Sequence, residues 1–367
     1  MKRALLILTA ITLLFSVNSE AQTAKYSNDF LRIGVGARAH GMGLAQVAAV
    51  NDLTGAYWNP AGLSGFSSPF QLGVMHAEWF AGIASYDYIG FAKSLDQEKE
   101  SALGITIIRL GIDQIPNTLR LYEKDGSINY DNLSEFSAAD YGVIGSYARA
   151  IKLGDRKLRV GGNAKIIRRI IGTFGNSWGF GLDLAAMYEI EKFKFSLVGR
   201  DITTTFNAWS FNFQEDDREI LAATGNEIPT SSVEITLPTF SFGSAFYEDF
   251  GENISFVAAL DFDLTTDGQR NTLISSSAFN IDPRFGFEFG YKKFLFLRGG
   301  VNNFQRATDD INFETTTLTF QPNFGVGLKF GRLKLDYALT DLGDQSQALY
   351  SNIFSLILDL KAKKKSL

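Results

Sequence analysis

The 367-residue chain contains no cysteine and only two histidines, His40 and His76. The lack of cysteine excludes disulfides, thiol chemistry and lipid attachment at an N-terminal cysteine. Neither histidine stands near a serine or carboxylate pattern typical of a catalytic triad. A calcium-loop spacing fails because Asp267 follows Asp261 and Asp263 too late, and the glycines of residues 34–41 lack the spacing of a dinucleotide-binding loop. We therefore expect a protein that is not an enzyme and that holds no metal or cofactor.

Long apolar runs and a strong charge of one sign are also missing. The mature chain has no stretch of about 18 consecutive apolar residues, so no transmembrane helix is predicted. The net charge is only −5, and no basic stripe alternates with stacking aromatic residues. This composition excludes nucleic acid as a partner.

The N-terminus predicts a secretory signal peptide. Lys2 and Arg3 precede a short apolar run over residues 4–17, and Ser19-Glu20-Ala21 is a small-x-small cleavage site. Residues 1–21 would be removed, so the mature chain would begin at Gln22. Export without cysteine is typical of a bacterial envelope protein.

Glycine and phenylalanine are abundant, with 35 Gly and 32 Phe, and apolar residues recur at every second position. The clearest alternating segments are 179–190, 284–291, 324–330 and 352–360. A soluble sandwich also alternates, but here aromatic residues cluster near strand ends and charges stand in mid-strand on the minor face. A membrane barrel places lipid against the apolar face and polar groups inside, so we favour an outer-membrane β-barrel over a secreted sandwich.

The alternation predicts an all-β fold, an antiparallel barrel of about 14 strands, the even number required of single-chain bacterial barrels. The predicted strands are 70–77, 84–93, 101–110, 138–148, 158–168, 177–189, 193–201, 239–247, 254–264, 284–291, 294–302, 318–330, 333–340 and 351–360. Connections after even-numbered strands are short, whereas 111–137, 202–238, 265–283 and 303–317 are long and 78–83 is the exception. Short turns would lie in the periplasm and long loops outside, which places both termini in the periplasm.

Residues 22–68 are predicted to form an N-terminal hatch in the lumen, before a barrel over 69–360 and a basic periplasmic tail over 361–367. The segment is too apolar to remain a free tail. The hatch motif comprises Trp58, Asn59, Pro60, Ala61 and Gly62, and we expect it to pass near the wall before the first strand. A periplasmic cap that merely seals the barrel is the alternative.

The segments 34–65, 76–92, 103–116 and 324–344 resemble the PorV/PorQ family of FadL-like outer-membrane β-barrels. Asn59, Pro60 and Ala61 match the Asn-Pro-Ala hatch motif that FadL-like transporters share. The resemblance implies a fourteen-stranded barrel. FadL passes hydrophobic substrates through a lateral opening, and PorV is an accessory barrel of the type IX secretion system. Gly62 stands where PorV has lysine, so the resemblance implies a general family member rather than PorV proper.

Two functions are weighed here, and a passive structural barrel is a third that the residues leave open. The first is an accessory subunit of an outer-membrane protein secretion machine, type IX-like, or of a barrel-assembly machine. The expected partners are then outer-membrane lipid and a larger protein complex. Phe206, Trp209, Phe211 and Phe213 are the candidate partner-binding loop residues, although they could also rest on the barrel rim. The second function is FadL-like transport of hydrophobic solutes across the outer membrane.

Charged residues on the predicted inner face discriminate between the two functions. Opposite charges on adjacent strands are typical of a sealed lumen rather than an apolar tunnel, which favours the accessory subunit. The candidate lumen charges are Arg159, Lys165, Asp183, Glu288, Arg298, Lys329 and Asp336.

Overall fold

A computed structural model describes residues 22–23, 27–66, 68–80, 82–96, 98, 100–123, 126–154, 156–308, 316–340 and 350–360. The predicted signal peptide, 1–21, and the predicted basic tail, 361–367, lie outside the described residues. None of the helices in the described part of the chain is both long and apolar enough to cross a membrane.

Fourteen antiparallel strands form a closed barrel, as predicted. Each strand pairs with the next in sequence, and Leu360 of the last strand pairs with Phe70 of the first, which closes the wall. The strands are β1 Phe70–Trp79, β2 Ala84–Ser94, β3 Ser101–Asn117, β4 Ser134–Leu153, β5 Arg156–Ile171, β6 Gly175–Ile190, β7 Phe193–Arg200 with Thr205–Phe211, β8 Ser232–Thr236 with Thr239–Phe250, β9 Ile254–Thr265, β10 Asn280–Tyr291, β11 Leu295–Thr308, β12 Thr316–Phe330, β13 Leu333–Thr340 and β14 Ser351–Leu360.

The period of two separates an apolar outer face from a small or charged inner face. In β10, Phe285, Phe289 and Tyr291 are exposed on the outside, while Glu288 is buried on the inside. This outer face is that of an outer-membrane barrel, whose side chains contact lipid.

The strands extend further into the predicted long loops than the sequence suggested. The connection between β3 and β4 shrinks from the predicted 111–137 to 118–133, and a short 3₁₀ helix, Tyr130–Asn132, lies within it. The connection between β9 and β10 is 266–279, and a two-residue strand, Ile274–Ser275, pairs there with the start of β10.

The prediction of one long loop over 202–238 is wrong. β7 resumes at Thr205–Phe211 and pairs with both β6 and the upper part of β8, Ser232–Thr236. Between the two parts of β7, residues 201–204 interrupt the strand, and Asp201 and Thr204 adopt positive φ angles of 54° and 56°. The remaining loop, 212–231, contains helix α3, Glu215–Ala223.

The N-terminal segment, residues 27–66, lies inside the barrel. It contains two short helices, α1 Ala37–Gly41 and α2 Gly55–Trp58, and two 3₁₀ helices, Asp29–Arg32 and Pro60–Leu63. α1 contacts β11 to β14, whereas Pro60–Leu63 contacts β3 to β6 on the opposite side of the wall. The segment therefore spans the interior from one side to the other.

The two ends of the described chain lie at opposite ends of the barrel. Gln22–Thr23 pair in parallel with Glu234–Ile235, near the long-loop end, whereas β14 finishes at Leu360, at the short-turn end. The prediction that both termini lie in one compartment, the periplasm, conflicts with this arrangement. The sequence offers no pattern that reports the direction in which a buried segment runs.

Candidate functional site: the interior segment and the barrel mouth

The predicted hatch motif forms a hydrogen-bonded turn at the base of the segment. Trp58 donates its indole N–H to the carbonyl of Val35 at 2.9 Å. Asn59 is fully buried, accepts the Ala61 backbone N–H at 3.0 Å and donates its amide to the Val47 carbonyl at 2.7 Å. Because Asn59 satisfies backbone groups on both sides of it, one side chain joins two irregular parts of the segment.

Pro60 begins the 3₁₀ turn at a position where its missing N–H is not needed. The turn lies directly against the wall at Gly161 of β5, where an added Cβ atom would lie 2.4 Å from the Pro60 carbonyl carbon. Gly62 is packed on the other side of the turn, against the Val50 side chain. The motif therefore lies beside the wall before the first strand.

A buried ionic network joins α1 to the wall strands β10, β11 and β13. The guanidinium of Arg38 contacts Glu288 at 2.9 Å, and Glu288 contacts Arg298 at 2.6 Å. Arg298, whose side chain is fully buried, also contacts Asp336 at 2.8 Å. Three predicted lumen charges are thus brought together, and Arg38, which sequence analysis did not single out, is their fourth member.

A second network lies beside the interruption of β7. Lys165 contacts Asp183 at 2.7 Å and Asp201 at 2.6 Å, and the backbone N–H of Asp201 donates to Asp183 at 2.9 Å. Arg200 donates to the backbone carbonyls of Tyr57 and Trp58, at 2.9 and 3.1 Å. The strained residue Asp201 is therefore anchored from inside the barrel.

The two other predicted lumen charges lie near the short-turn end. Arg159 pairs with Glu189 at 3.3 Å and also donates to the Ser64 carbonyl. Lys329 is half-buried on the inner face of β12, and no ion pair among the described residues includes it. The interior charges are largely balanced within the barrel.

His40 lies in α1 and is buried beside Trp79, with 5.8 Å between the ring centroids. Burial lowers the pKa of His40 to about 4, so its imidazole is neutral at ordinary pH. Its Nε2 lies 3.2 Å from the Gly34 carbonyl, a contact that suits a structural N–H donor. Among the described residues, no group of three or more His, Cys, Asp or Glu side chains could hold a metal ion.

An apolar groove of about 430 Å³ opens at the long-loop end of the barrel. It lies between the β3–β4 connection and the loop that carries α3. Its apolar side chains come from both loops and from the strand ends between them: Pro116, Leu119, Phe136, Ile171, Phe174, Phe211, Phe213, Leu221 and Pro229. Among the described residues, Asn117 and Thr118 supply the remaining side chains of the lining, and none of these side chains is charged.

Three of the four predicted partner-binding aromatics form a stack at this groove. Trp209 and Phe211 are nearly parallel at 5.7 Å, and Phe213 stacks on Phe211 at 6.3 Å. Trp209 also donates its indole N–H to Glu234 at 2.7 Å. Phe206 does not join them, because it stands on the outer face of the upper part of β7 and is 49% exposed. The loop placement is wrong for Phe206, Trp209 and Phe211, since residues 205–211 form a wall strand, while their role in binding a partner stays a prediction.

An ion pair connects the two sides of the groove. Arg120 of the β3–β4 connection contacts Asp217 of α3 at 3.0 Å and Asp216 at 3.7 Å. The sequence does not predict this pair, because the two loops are far apart in the chain. The acidic first turn of α3 is the signal that could have indicated a basic partner.

Comparison with solved structures shows that the chain has a fold similar to those of known proteins. No family model and no curated protein matches the chain. The toluene transporter TodX of Pseudomonas putida is 12% identical, with a TM-score of 0.55 over 89% of this chain and 98% of TodX. A FadL homologue from Pseudomonas aeruginosa is 13% identical, with a TM-score of 0.52 over 89% of this chain and 98% of its own. The toluene transporter TbuX of Ralstonia pickettii is 13% identical, with a TM-score of 0.50 over 89% of this chain and 97% of TbuX.

The fold is therefore that of a FadL-like outer-membrane barrel. The similar structures are described as transporters or channels. At this identity the likeness shows the fold alone, and the expectation that the chain is not an enzyme stays a prediction.

Proposed function

We propose that the protein takes up small hydrophobic solutes across the outer membrane and that the groove at the barrel mouth is where they first bind. The single observation that supports this most is the uncharged, aromatic lining of that groove. An apolar concave site with few polar groups is the usual form of a binding site for a small apolar ligand. TodX and TbuX, which share the fold, are toluene transporters.

The long-loop end faces outward in this proposal, as in other outer-membrane barrels. The start of the mature chain then lies at the outer end of the lumen, and the C-terminal strand finishes at the periplasmic side. Ser27 and Asn28 reach the wall through one atom, the Thr236 hydroxyl, at 2.7 Å each. The lower segment is anchored by the Arg38 network and by Asn59.

Residues 27–33 also contact the barrel through Asp29–Arg270 at 3.5 Å and Arg32–Asp263 at 3.9 Å, both longer than the 2.9 and 2.6 Å contacts of the Arg38 network. This difference in anchoring suggests which part moves. Residues 27–33 would shift away from Thr236 to admit a solute, while α1 and the Asn59 turn stay in place. Residues 201–204 lie beside the same point of the wall and carry backbone strain. We propose that the solute passes between these two elements.

Trp209 provides a test, because it stacks directly on Phe211 of the groove. Bromobenzene quenches tryptophan fluorescence at short range. In nanodiscs, the Trp209 fluorescence is obtained by subtracting the spectrum of Trp209→Phe from that of the wild type. We expect bromobenzene to quench this fluorescence saturably and toluene to compete with bromobenzene for the groove. Trp178, which is 58% exposed on the lipid-facing side, is the matched control and should be quenched in proportion to bromobenzene dissolved in lipid. Quenching of Trp209 that is as unsaturable as that of Trp178 would contradict the proposal.

A second candidate is the accessory subunit of a type IX-like secretion or barrel-assembly machine. The balanced charge networks that fill the interior favour it, as does the resemblance of the hatch motif to PorV/PorQ proteins. Gentle extraction of the tagged protein from its own outer membrane, followed by mass spectrometry, separates the two candidates. Stoichiometric recovery of a translocon or of a barrel-assembly core would favour the accessory role.

A further inference from the structure

A row of polar side chains crosses the outer, lipid-facing surface of the first strands. His76 of β1 pairs in register with Asp87 of β2, Asp87 pairs with Arg109 of β3, and Arg109 pairs with Tyr141 of β4. On its other side, His76 pairs in register with Phe354 of β14. The side chains of His76, Asp87 and Arg109 are 52%, 41% and 32% exposed, so the described part of the chain leaves each of them partly uncovered.

The row is held together by ion pairs. His76 Nδ1 lies 2.7 Å from Asp87, and Arg109 lies 3.3 Å from the other oxygen of the same carboxylate. Glu78 lies 4.0 Å from His76, and Asp113 lies 3.9 Å from Arg109. We call these five residues the outer polar row.

Apolar residues flank the outer polar row both toward the membrane centre and toward the loops. Val74, Ile89 and Ile107 are 41%, 46% and 42% exposed on the membrane side of the row. On the loop side, Phe80 and Ile83 at the tip of the β1–β2 hairpin are 62% and 65% exposed. The row therefore lies within the apolar band of the barrel rather than above it.

The opposite side of the barrel has no such row. From Ile281 to Tyr291, every outer position of β10 is apolar, as expected for strands that cross a hydrocarbon layer about 25 Å thick. Charged side chains on a lipid face destabilise a barrel, most at the membrane midplane and less toward the interfaces. A protein partner that covers the outer polar row would remove this destabilisation.

We propose that the outer face of β1 to β3 docks a second membrane-embedded protein, which presents basic side chains to the outer polar row. The five residues carry three carboxylates, of Glu78, Asp87 and Asp113, and one guanidinium, of Arg109. The next cation along the same register, Arg168 beyond Tyr141, stacks on Trp178 and lies outside the row. The charge of the row favours a cationic partner. It disfavours the phosphates of an outer-leaflet lipid, and it disfavours a second copy of the chain, which would bring the same carboxylates together.

An apolar groove of about 630 Å³ continues this surface from His76 across β14, β13 and β12. Side chains on the lipid-facing surface form it, among them Val74, Val326, Leu335, Tyr337, Phe354 and Leu356. An interface with an apolar body beside a charged row gives both contact area and a fixed register. The docking surface is independent of the solute groove, which lies at the mouth of the barrel.

Because the chain lacks cysteine, single cysteines can carry a spin label without further changes. Ile107→Cys places the label beside the outer polar row, and Phe289→Cys, at a similarly exposed position of β10, is the matched control. The collision rate of each label with dissolved oxygen should be measured in the protein's own outer membrane and in vesicles of purified protein and neutral lipid. We expect the rate at Ile107→Cys to rise severalfold on purification and the rate at Phe289→Cys to stay the same.

Three further conditions identify the occupant. Protection here means a low oxygen collision rate of the label at Ile107→Cys. Adding Asp87→Asn and Asp113→Asn should remove this protection in the native membrane. Heat-modified gel mobility reports whether the barrel is still folded. Protection that reappears in vesicles containing lipopolysaccharide would assign the surface to anionic lipid. Protection that reappears when purified protein is concentrated in vesicles would assign it to a second copy. Either result, or equal rates in both membranes, would overturn the proposal.

Discussion

Single glycines on the inner wall determine where the N-terminal segment can lie. An added Cβ atom at Gly161 would lie 2.4 Å from the Pro60 carbonyl carbon, and one at Gly286 or Gly300 would lie within 2.3 Å of Met42 or Gly43 backbone atoms. Backbone atoms cannot move aside as a flexible side chain can. The absence of side chains at these glycines therefore leaves the space in which the backbone of the segment packs against the wall, in addition to its hydrogen bonds.

We predict that Gly161→Ala destabilises the packed segment by about 1–3 kcal/mol, the usual cost of forcing extra volume into a packed interior. Hydrogen exchange of residues 55–66 should accelerate in this variant. Gly145→Ala is the matched control, because an added Cβ atom there meets nothing within 4 Å. Equal exchange in the two variants would show that the turn does not press on β5.

Arg298 is the residue on which the ionic network beside α1 depends. Its removal leaves the carboxylates of Glu288 and Asp336 in the interior without their shared cation. We predict that Arg298→Met lowers the free energy of unfolding by about 3–5 kcal/mol, as found when one member of a buried ion pair is removed. Adding Glu288→Gln should recover part of the loss in urea titrations. A larger loss in the double variant would mean that Glu288 acts mainly through Arg38.

At the scale of elements, the interruption of β7 is the feature that differs most from a regular barrel. Residues 201–204 insert extra backbone opposite β6, and the Lys165–Asp183–Asp201 contacts hold the insertion from inside. Above it, the wall continues to the mouth groove. The two loops that border the groove are joined by the Arg120–Asp217 pair.

We predict that Arg120→Gln loosens α3 without unfolding the barrel. Arg120 is 46% exposed on its side chain, so the loss of the pair should cost less than about 1 kcal/mol. Amide exchange in Glu215–Ala223 should rise, and toluene should leave the groove faster. Arg218→Gln, an exposed change on the same helix, is the control and should alter neither property.

The sequence predicts the strand count, the closure and the two ends of the barrel because a period of two is visible within each strand. It does not predict the upper part of β7, because the inserted residues 201–204 shift the alternation and make 205–211 read as loop. The inner charges follow from the same alternation, yet their partners Arg38 and Asp201 do not. Arg38 lies in an irregular segment and Asp201 lies in the insertion. No alternation of residues therefore predicts where their side chains lie.

At the scale of the whole molecule, the barrel combines a filled interior with two distinct apolar surfaces. The mouth groove has no charged side chain among its described lining residues and opens toward the long loops, whereas the surface across β12 to β14 and β1 faces the membrane beside the outer polar row. The filled interior means that any solute must displace part of the segment. The upper end of that segment contacts the wall at the Thr236 hydroxyl.

The most direct test of the proposed transport is to fix the Ser27–Thr236 contact with a disulfide and to measure uptake. The hydroxyl oxygens of Ser27 and Thr236 lie 2.7 Å apart, so Ser27→Cys with Thr236→Cys should form a disulfide in the otherwise cysteine-free chain. We predict that radiolabelled toluene enters cells carrying the oxidised pair no faster than cells without the protein, and that a reductant restores wild-type uptake. The single variant Ser27→Cys should be unaffected. Wild-type uptake by the oxidised pair, or uptake by the wild type no faster than by cells without the protein, would contradict the proposed transport.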